Sequence, residues 1–125
     1  MKELIKKIEE FNEAFGVPVR DDFGTTDYSQ YMLRYDLMKE ENEEYLEACV
    51  DKNKIEIADA LGDKLYILLG TIVQHGLQDK IEEVFNLIHE NNMSKLHNGV
   101  VLRNEAGKII KPEGFKSVDL TKVIN

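Results

Sequence analysis

The sequence predicts an all-α protein: an antiparallel four-helix bundle with a short extended C-terminal arm or hairpin. Three observations carry that class. Apolar residues return at three- and four-residue spacing in successive blocks, the period of a helix with one buried face. Only three residues, "DKN", separate the two longest blocks, so the helices on either side should pack antiparallel. The composition is 42% hydrophobic and 32% charged, with two prolines and no tryptophan; that is a helical globule, and 125 residues suit one domain with one core.

In the first block Leu4, Ile5, Ile8, Phe11 and Phe15 keep helical register, and Gly16 is placed to end it. "VPVRDDFGTTD" follows as a loop, broken by Pro18 and Gly24. Ser29 can cap a second helix that reaches to about Val50. The third helix spans about Lys54 to His75, with Gly76 as its stop; from Leu65 to Val73 it is apolar nearly all round, which predicts a central position. A fourth runs from about Gln78 to Leu96 on Ile81, Val84, Phe85 and Ile88. Beyond "HNG", "VVLRNEAGKIIK" sets two short apolar runs around a Gly-containing turn, the pattern of a small hairpin or extended arm. One domain over 1–125 is expected, with the bundle over about 1–97 and the arm over about 98–125.

A net charge of −8 argues against sequence-independent nucleic-acid binding, which relies on Lys and Arg neutralising phosphates. An acidic protein can still act on an anionic substrate where cations bridge the two. The lone Cys49 allows no internal disulfide and fits a reducing cytosol. The opening "MKELIKKIEEF" is charged throughout and lacks the apolar core of a signal peptide, and the longest apolar run is too short to span a membrane. The expected setting is cytoplasmic, without membrane contact.

The stretch "KEENEEYLEACVDKNKIEIADALGD" holds nine carboxylates against three lysines. Like charges one turn apart destabilise a helix by roughly 0.2–0.5 kcal/mol per pair. At about 100° per residue, Leu33, Leu37, Glu41, Glu44 and Ala48 fall in one sector of the second helix, with Glu40 just beside it. On the third helix Glu56, Asp59 and Asp63 share a side. A charge run alone usually marks a solvated face. Two antiparallel helices that each present carboxylates one turn apart instead make an oxygen cage suited to hard divalent cations such as Mg²⁺. Such ions activate a water and stabilise a leaving oxygen in phosphoryl chemistry. Asn92 and Lys95 continue the apolar stripe of the fourth helix and should point inward near its end, an amide and a cation suited to a nucleotide or triphosphate.

"EENEEYLEA" followed by "EIADALGD" resembles the paired E-x-x-E and E-x-x-D helix motifs of the all-α NTP pyrophosphatases, the superfamily of the MazG, phosphoribosyl-ATP pyrophosphohydrolase and dimeric dUTPase-like branches. "LRYDLMKEE", "LYILLGTIVQHGL", "NNMSKL" and "GKIIKPEGFKSVDL" extend the likeness over nearly the whole chain, which looks most like the small phage-type or bacterial MazG-like proteins. The resemblance implies a Mg²⁺-dependent (Mn²⁺ as an alternative) nucleoside triphosphate pyrophosphohydrolase that releases nucleoside monophosphate and pyrophosphate. It implies Glu41, Glu44, Glu56 and Asp59 as metal ligands within the catalytic group, Glu40 and Asp63 as further ligands or supports, and Asn92 and Lys95 as contacts to the nucleotide. It also implies a homodimer or a dimer of dimers. "KSVDL" departs from the pattern by lacking a proline before its Asp, and Glu40 with Glu43 forms a shifted duplicate of the first motif. Glu43 lies further from the inward sector, which favours Glu41 and Glu44.

Two other classes place carboxylates on helices. A ferritin-like di-iron bundle needs Glu-x-x-His on two helices; Ile72, Asn86 and Ser94 stand three residues before His75, His89 and His97. A non-catalytic adaptor with an acidic helical face would bind no Mg²⁺ and would tolerate loss of Glu56.

Overall fold

The computed structural model describes residues 1–124. Among them are four helices and no named strand: α1 (Lys2–Ala14), α2 (Tyr28–Val50), α3 (Lys54–Gln74) and α4 (Ile81–Met93). That is the expected all-helical class, consistent with a four-helix bundle fold. Two compact units divide the chain, Met1–Asp79 and a second beginning at Lys80.

In the first unit α2 and α3 form an antiparallel hairpin. Arg34 reaches across to Thr71 and to the Ile67 carbonyl (both 3.0 Å), while eight residues later Asn42 accepts from Lys64 at 2.9 Å. Partner numbers fall on one helix as they rise on the other. Against α3 lies α1, which buries Ile5 and Ile8 and sets Phe11 edge-on to Tyr66 at 5.7 Å. The cap of α2 is Asp27 rather than Ser29: its carboxylate accepts from the Gln30 N–H at 3.0 Å, and the Ser29 hydroxyl donates to the same oxygen at 2.7 Å. An ionised carboxylate is the stronger acceptor at a helix N-terminus, so Ser29 becomes its support inside the first turn. Asn53 caps α3 by accepting from the Glu56 N–H.

Gly76 stops α3 as the sequence predicts, and the reason is tight. Its φ is +77°, and a Cβ there would collide with the Asp22 carbonyl oxygen. The loop after α1 is strapped over that spot: the Gly24 N–H donates to the His75 carbonyl (2.9 Å) and His75 Nδ1 donates to the Gly24 carbonyl (2.8 Å).

Within this unit α3 is the helix that both α1 and α2 pack against, as expected, but its apolar residues are not all enclosed. Ala60, Leu69, Gly70 and Val73 are buried, whereas Leu61, Leu65 and Leu68 are 49%, 43% and 46% exposed. Within the unit α1 and α2 cover only part of the circumference of α3, and its apolar residues extend further round than that. Tyr45, Tyr66 and Phe85 read from the sequence as core aromatics; Tyr45 is half-buried, whereas Tyr66 and, in the second unit, Phe85 are exposed.

In the second unit α4 is shorter at both ends than its apolar stripe suggests, and it buries Val84. The expected hairpin is present in short form: Arg103 and Ile109 make an isolated bridge around the turn at Gly107, and the Asn104 N–H donates to the Lys108 carbonyl. The tail folds back on α4, where the Asn91 amide is placed to donate to the Lys116 carbonyl (2.9 Å) and accept from the Val118 N–H (3.3 Å). Val123 is buried.

Candidate functional site

Glu41 and Glu44 stand one turn apart on α2, and the register that pairs Asn42 with Lys64 brings Asp63 opposite them. One carboxylate oxygen from each of Glu41, Glu44 and Asp63 lies within 4.8 Å of the other two. Glu44 and Asp63 are exposed; Glu41 is half-buried, and its Oε2 is enclosed with no hydrogen-bond partner among the described residues. Burial pushes the Glu41 carboxyl up to about 7, helped by a hydrogen bond with Glu44 and by the charges of Glu44, Asp63 and Glu40.

An enclosed acceptor without a donor destabilises a fold, and three carboxylates this close repel. Both penalties vanish if a divalent cation sits among the oxygens, since hard cations take carboxylate ligands. The residues present therefore fit a metal.

Glu56 and Asp59 stand on the first turns of α3 and are exposed. They line a cavity of about 430 Å³ with Glu44, Glu47 and Asp51, at the turn end of the hairpin. The four motif carboxylates thus split. Glu41 and Glu44 join Asp63, while Glu56 and Asp59 border the adjoining cavity, and Glu44 belongs to both groups. Glu40 adds charge against Glu41 and is itself exposed. Asn92 and Lys95 belong to the second unit. Asn92 is exposed, as are Phe85 and Ile88 on the same stripe of α4, so the stripe it continues is not a covered face. Lys95 is half-buried beyond that end, its ammonium 5.9 Å from the Phe115 ring centroid, with Lys111 at 5.4 Å from the same centroid.

The sequence reading missed the other end of the seam. Toward the open end of the hairpin, a groove of about 640 Å³ is lined by Tyr31, Arg34, Tyr35 and Lys39 of α2, by Lys64 of α3 and by His75 just beyond it, among others. A signal was available: Arg34 lies seven residues before Glu41, two turns along the same face.

The profile of the family described as phosphoribosyl-ATP pyrophosphohydrolase matches residues 6–92, which include every motif carboxylate. Uncharacterized protein L479 of Acanthamoeba polyphaga mimivirus is 39% identical over 67 residues, 50% of this chain and 27% of that protein. The chain therefore spans about a quarter of the length of that curated relative.

Proposed function

Because this chain belongs to the phosphoribosyl-ATP pyrophosphohydrolase family, a family of hydrolases acting on phosphorus anhydrides of nucleotide-like substrates, we propose that it is a divalent-metal-dependent nucleoside triphosphate pyrophosphohydrolase. The observation that carries the metal dependence is the Glu41–Glu44–Asp63 cluster with its enclosed, unpartnered oxygen. Glu41, Glu44 and Asp63, with Glu56 and Asp59 beside them, would hold the ion, Mg²⁺ or Mn²⁺. When bound, the ion supplies Lewis-acid activation of water and neutralises phosphate charge. A carboxylate of the set left free of the ion, Glu40 included, accepts the proton of the attacking water. Cleavage falls between the α- and β-phosphates.

Asn92 and Lys95 enter as contacts to the nucleotide on the strength of the resemblance. Residues 1–125 act as one catalytic domain, working in the cytoplasm without nucleic acid or membrane as partner. No helix among the described residues is long and apolar enough to cross a membrane. Assembly as a homodimer or dimer of dimers enters on the strength of the resemblance, closed symmetric assembly being the common form of soluble oligomers.

The test is incubation of the full chain with a panel of nucleoside triphosphates and Mg²⁺, with products separated by chromatography. Monophosphate and pyrophosphate in equal amounts, and no turnover in EDTA, are the expected result. Diphosphate with orthophosphate, or full turnover in EDTA, overturns the proposal.

A further inference from the structure

The groove at the open end of the hairpin stands out by its charge. The first unit carries eighteen carboxylates against nine Lys and Arg, a net −9, yet none of the groove's lining residues is a carboxylate, and Arg34, Lys39 and Lys64 are a third of the unit's cations. A random draw from this surface would be acidic. The same walls hold Tyr31, Tyr35 and Met38, so the groove offers apolar and aromatic faces beside its cations.

Two of the cations are held in place. Arg34 donates through Nε to Thr71 and through Nη2 to the Ile67 carbonyl, both neutral acceptors, so its positive charge is oriented and not cancelled. Lys64 donates to Asn42 at 2.9 Å and lies 5.6 Å from the Tyr45 ring centroid. Tyr31 is braced edge-on by Tyr28 at 5.4 Å. Pre-set donors and rings lose little freedom on binding.

The groove also adjoins the carboxylate cluster. Asn42 and Lys64 are the sequence neighbours of Glu41 and Asp63, and Arg34 is seven residues from Glu41, roughly 10 Å along the helix at 1.5 Å per residue. That span suits a nucleoside laid along the seam with its phosphate toward the carboxylates.

We propose that this groove binds the nucleoside monophosphate portion of the substrate, the base against Tyr31, Tyr35 and Met38 and the α-phosphate toward Lys39 and Lys64. Its role as a substrate subsite rests on the pyrophosphohydrolase reading; its affinity for an aromatic anion does not. An aromatic base packs on tyrosine and Met faces, and a phosphate draws ammonium and guanidinium donors.

The experiment titrates AMP, GMP, CMP and UMP into the full chain in EDTA and follows backbone amide shifts by NMR. Saturable shifts confined to residues 31–42 and 64–75 are expected for at least one nucleotide. Tyr35→Ala and Lys39→Gln, both at exposed positions that leave the Arg34 contacts intact, should each weaken that binding about tenfold, the loss of one stacking or charged contact. In turnover of the best triphosphate they should raise KM by a similar factor of about ten with kcat within about twofold. No saturable shifts with any monophosphate, or shifts elsewhere in the chain, overturn the proposal. So does a variant that dissociates an oligomer while KM stays unchanged, since the groove would then face a second copy. Monophosphate binding in the groove without turnover of any triphosphate leaves the groove standing and removes the pyrophosphohydrolase reading. Turnover with unchanged KM in both variants does the reverse.

Discussion

Toward the turn at Lys52, the seam between α2 and α3 is lined by Glu44, Glu47, Asp51, Glu56 and Asp59; toward its open end it is lined by Arg34, Lys39 and Lys64 with Tyr31 and Tyr35. The same two helices, in one antiparallel register, build both ends. The Glu41–Glu44–Asp63 cluster stands between them, its neighbours Asn42 and Lys64 on the cationic side and Glu44 itself on the acidic side. Within the seam itself, the carboxylates are gathered toward one end and the cations toward the other. An anionic substrate needs such sorting: protein cations attract it directly, whereas carboxylates attract it only through a metal. The contrast teaches that the acidic end is incomplete by itself and the cationic end is not.

The strongest way to break this comparison is Glu41→Gln. It removes a charge and a ligand at the junction, and Mg²⁺-supported turnover should fall by about 100-fold or more, in the range for losing one electrostatic group of an active site. Turnover within about threefold of wild type would mean that the cluster is a solvated acidic face.

Arg34→Ala attacks the other end. It deletes two cross-helix hydrogen bonds made by a charged donor and leaves the Ile67 carbonyl without that partner. A loss of about 2 kcal/mol is expected, read as a lower urea midpoint at constant slope. An unchanged midpoint would show that the guanidinium does not bind the helices together.

The pH dependence of the metal-free protein sharpens the contrast further. The Glu41 carboxyl, ordinarily near 4.5, is raised to about 7 in the fold. The folded state therefore holds the proton more tightly than the unfolded one. Its stabilisation is complete below about 4.5 and is lost as pH rises through about 7. Denaturation in EDTA at pH 5 and pH 8 should show wild type losing stability across that interval and Glu41→Gln losing less. Mg²⁺ at pH 8 should restore wild type more than the variant, because it binds only the native ligand set. Equal pH profiles for the two proteins would remove Glu41 from the seam's electrostatics.

The smallest effect is expected from Asn53→Ala. It removes the side chain that accepts from the Glu56 N–H at the start of α3. A loss of about 1 kcal/mol is the usual cost of such a cap and should appear as a modest drop in Tm. No drop would show that the acidic end relies on the turn backbone alone.

Much of this was legible from residue spacing because it is local. Four helices, the stops at Gly16 and Gly76, and Glu41 with Glu44 in one sector all follow from the 3.6-residue period and from where glycine takes a positive φ. Ser29 reads as a cap, but Asp27, two residues earlier, competes for the same amides and accepts more strongly. Asn92 reads as inward because it continues the Phe85 and Ile88 stripe, yet that stripe is itself exposed, and a period does not say whether a face is covered.

Tertiary structure alone decided that Asp63, and not Glu56 or Asp59, closes the cluster with Glu41 and Glu44. That outcome depends on how far α3 slides along α2, where four residues are about 6 Å. The Arg34 bonds to Thr71 and Ile67 and the Lys64 bond to Asn42 set that slide, and each joins residues more than twenty positions apart. The cationic groove is set by the same register. Arg34 and Lys64 are thirty positions apart in the chain, and only the antiparallel pairing of two helices, each carrying half of the groove, puts both on one wall.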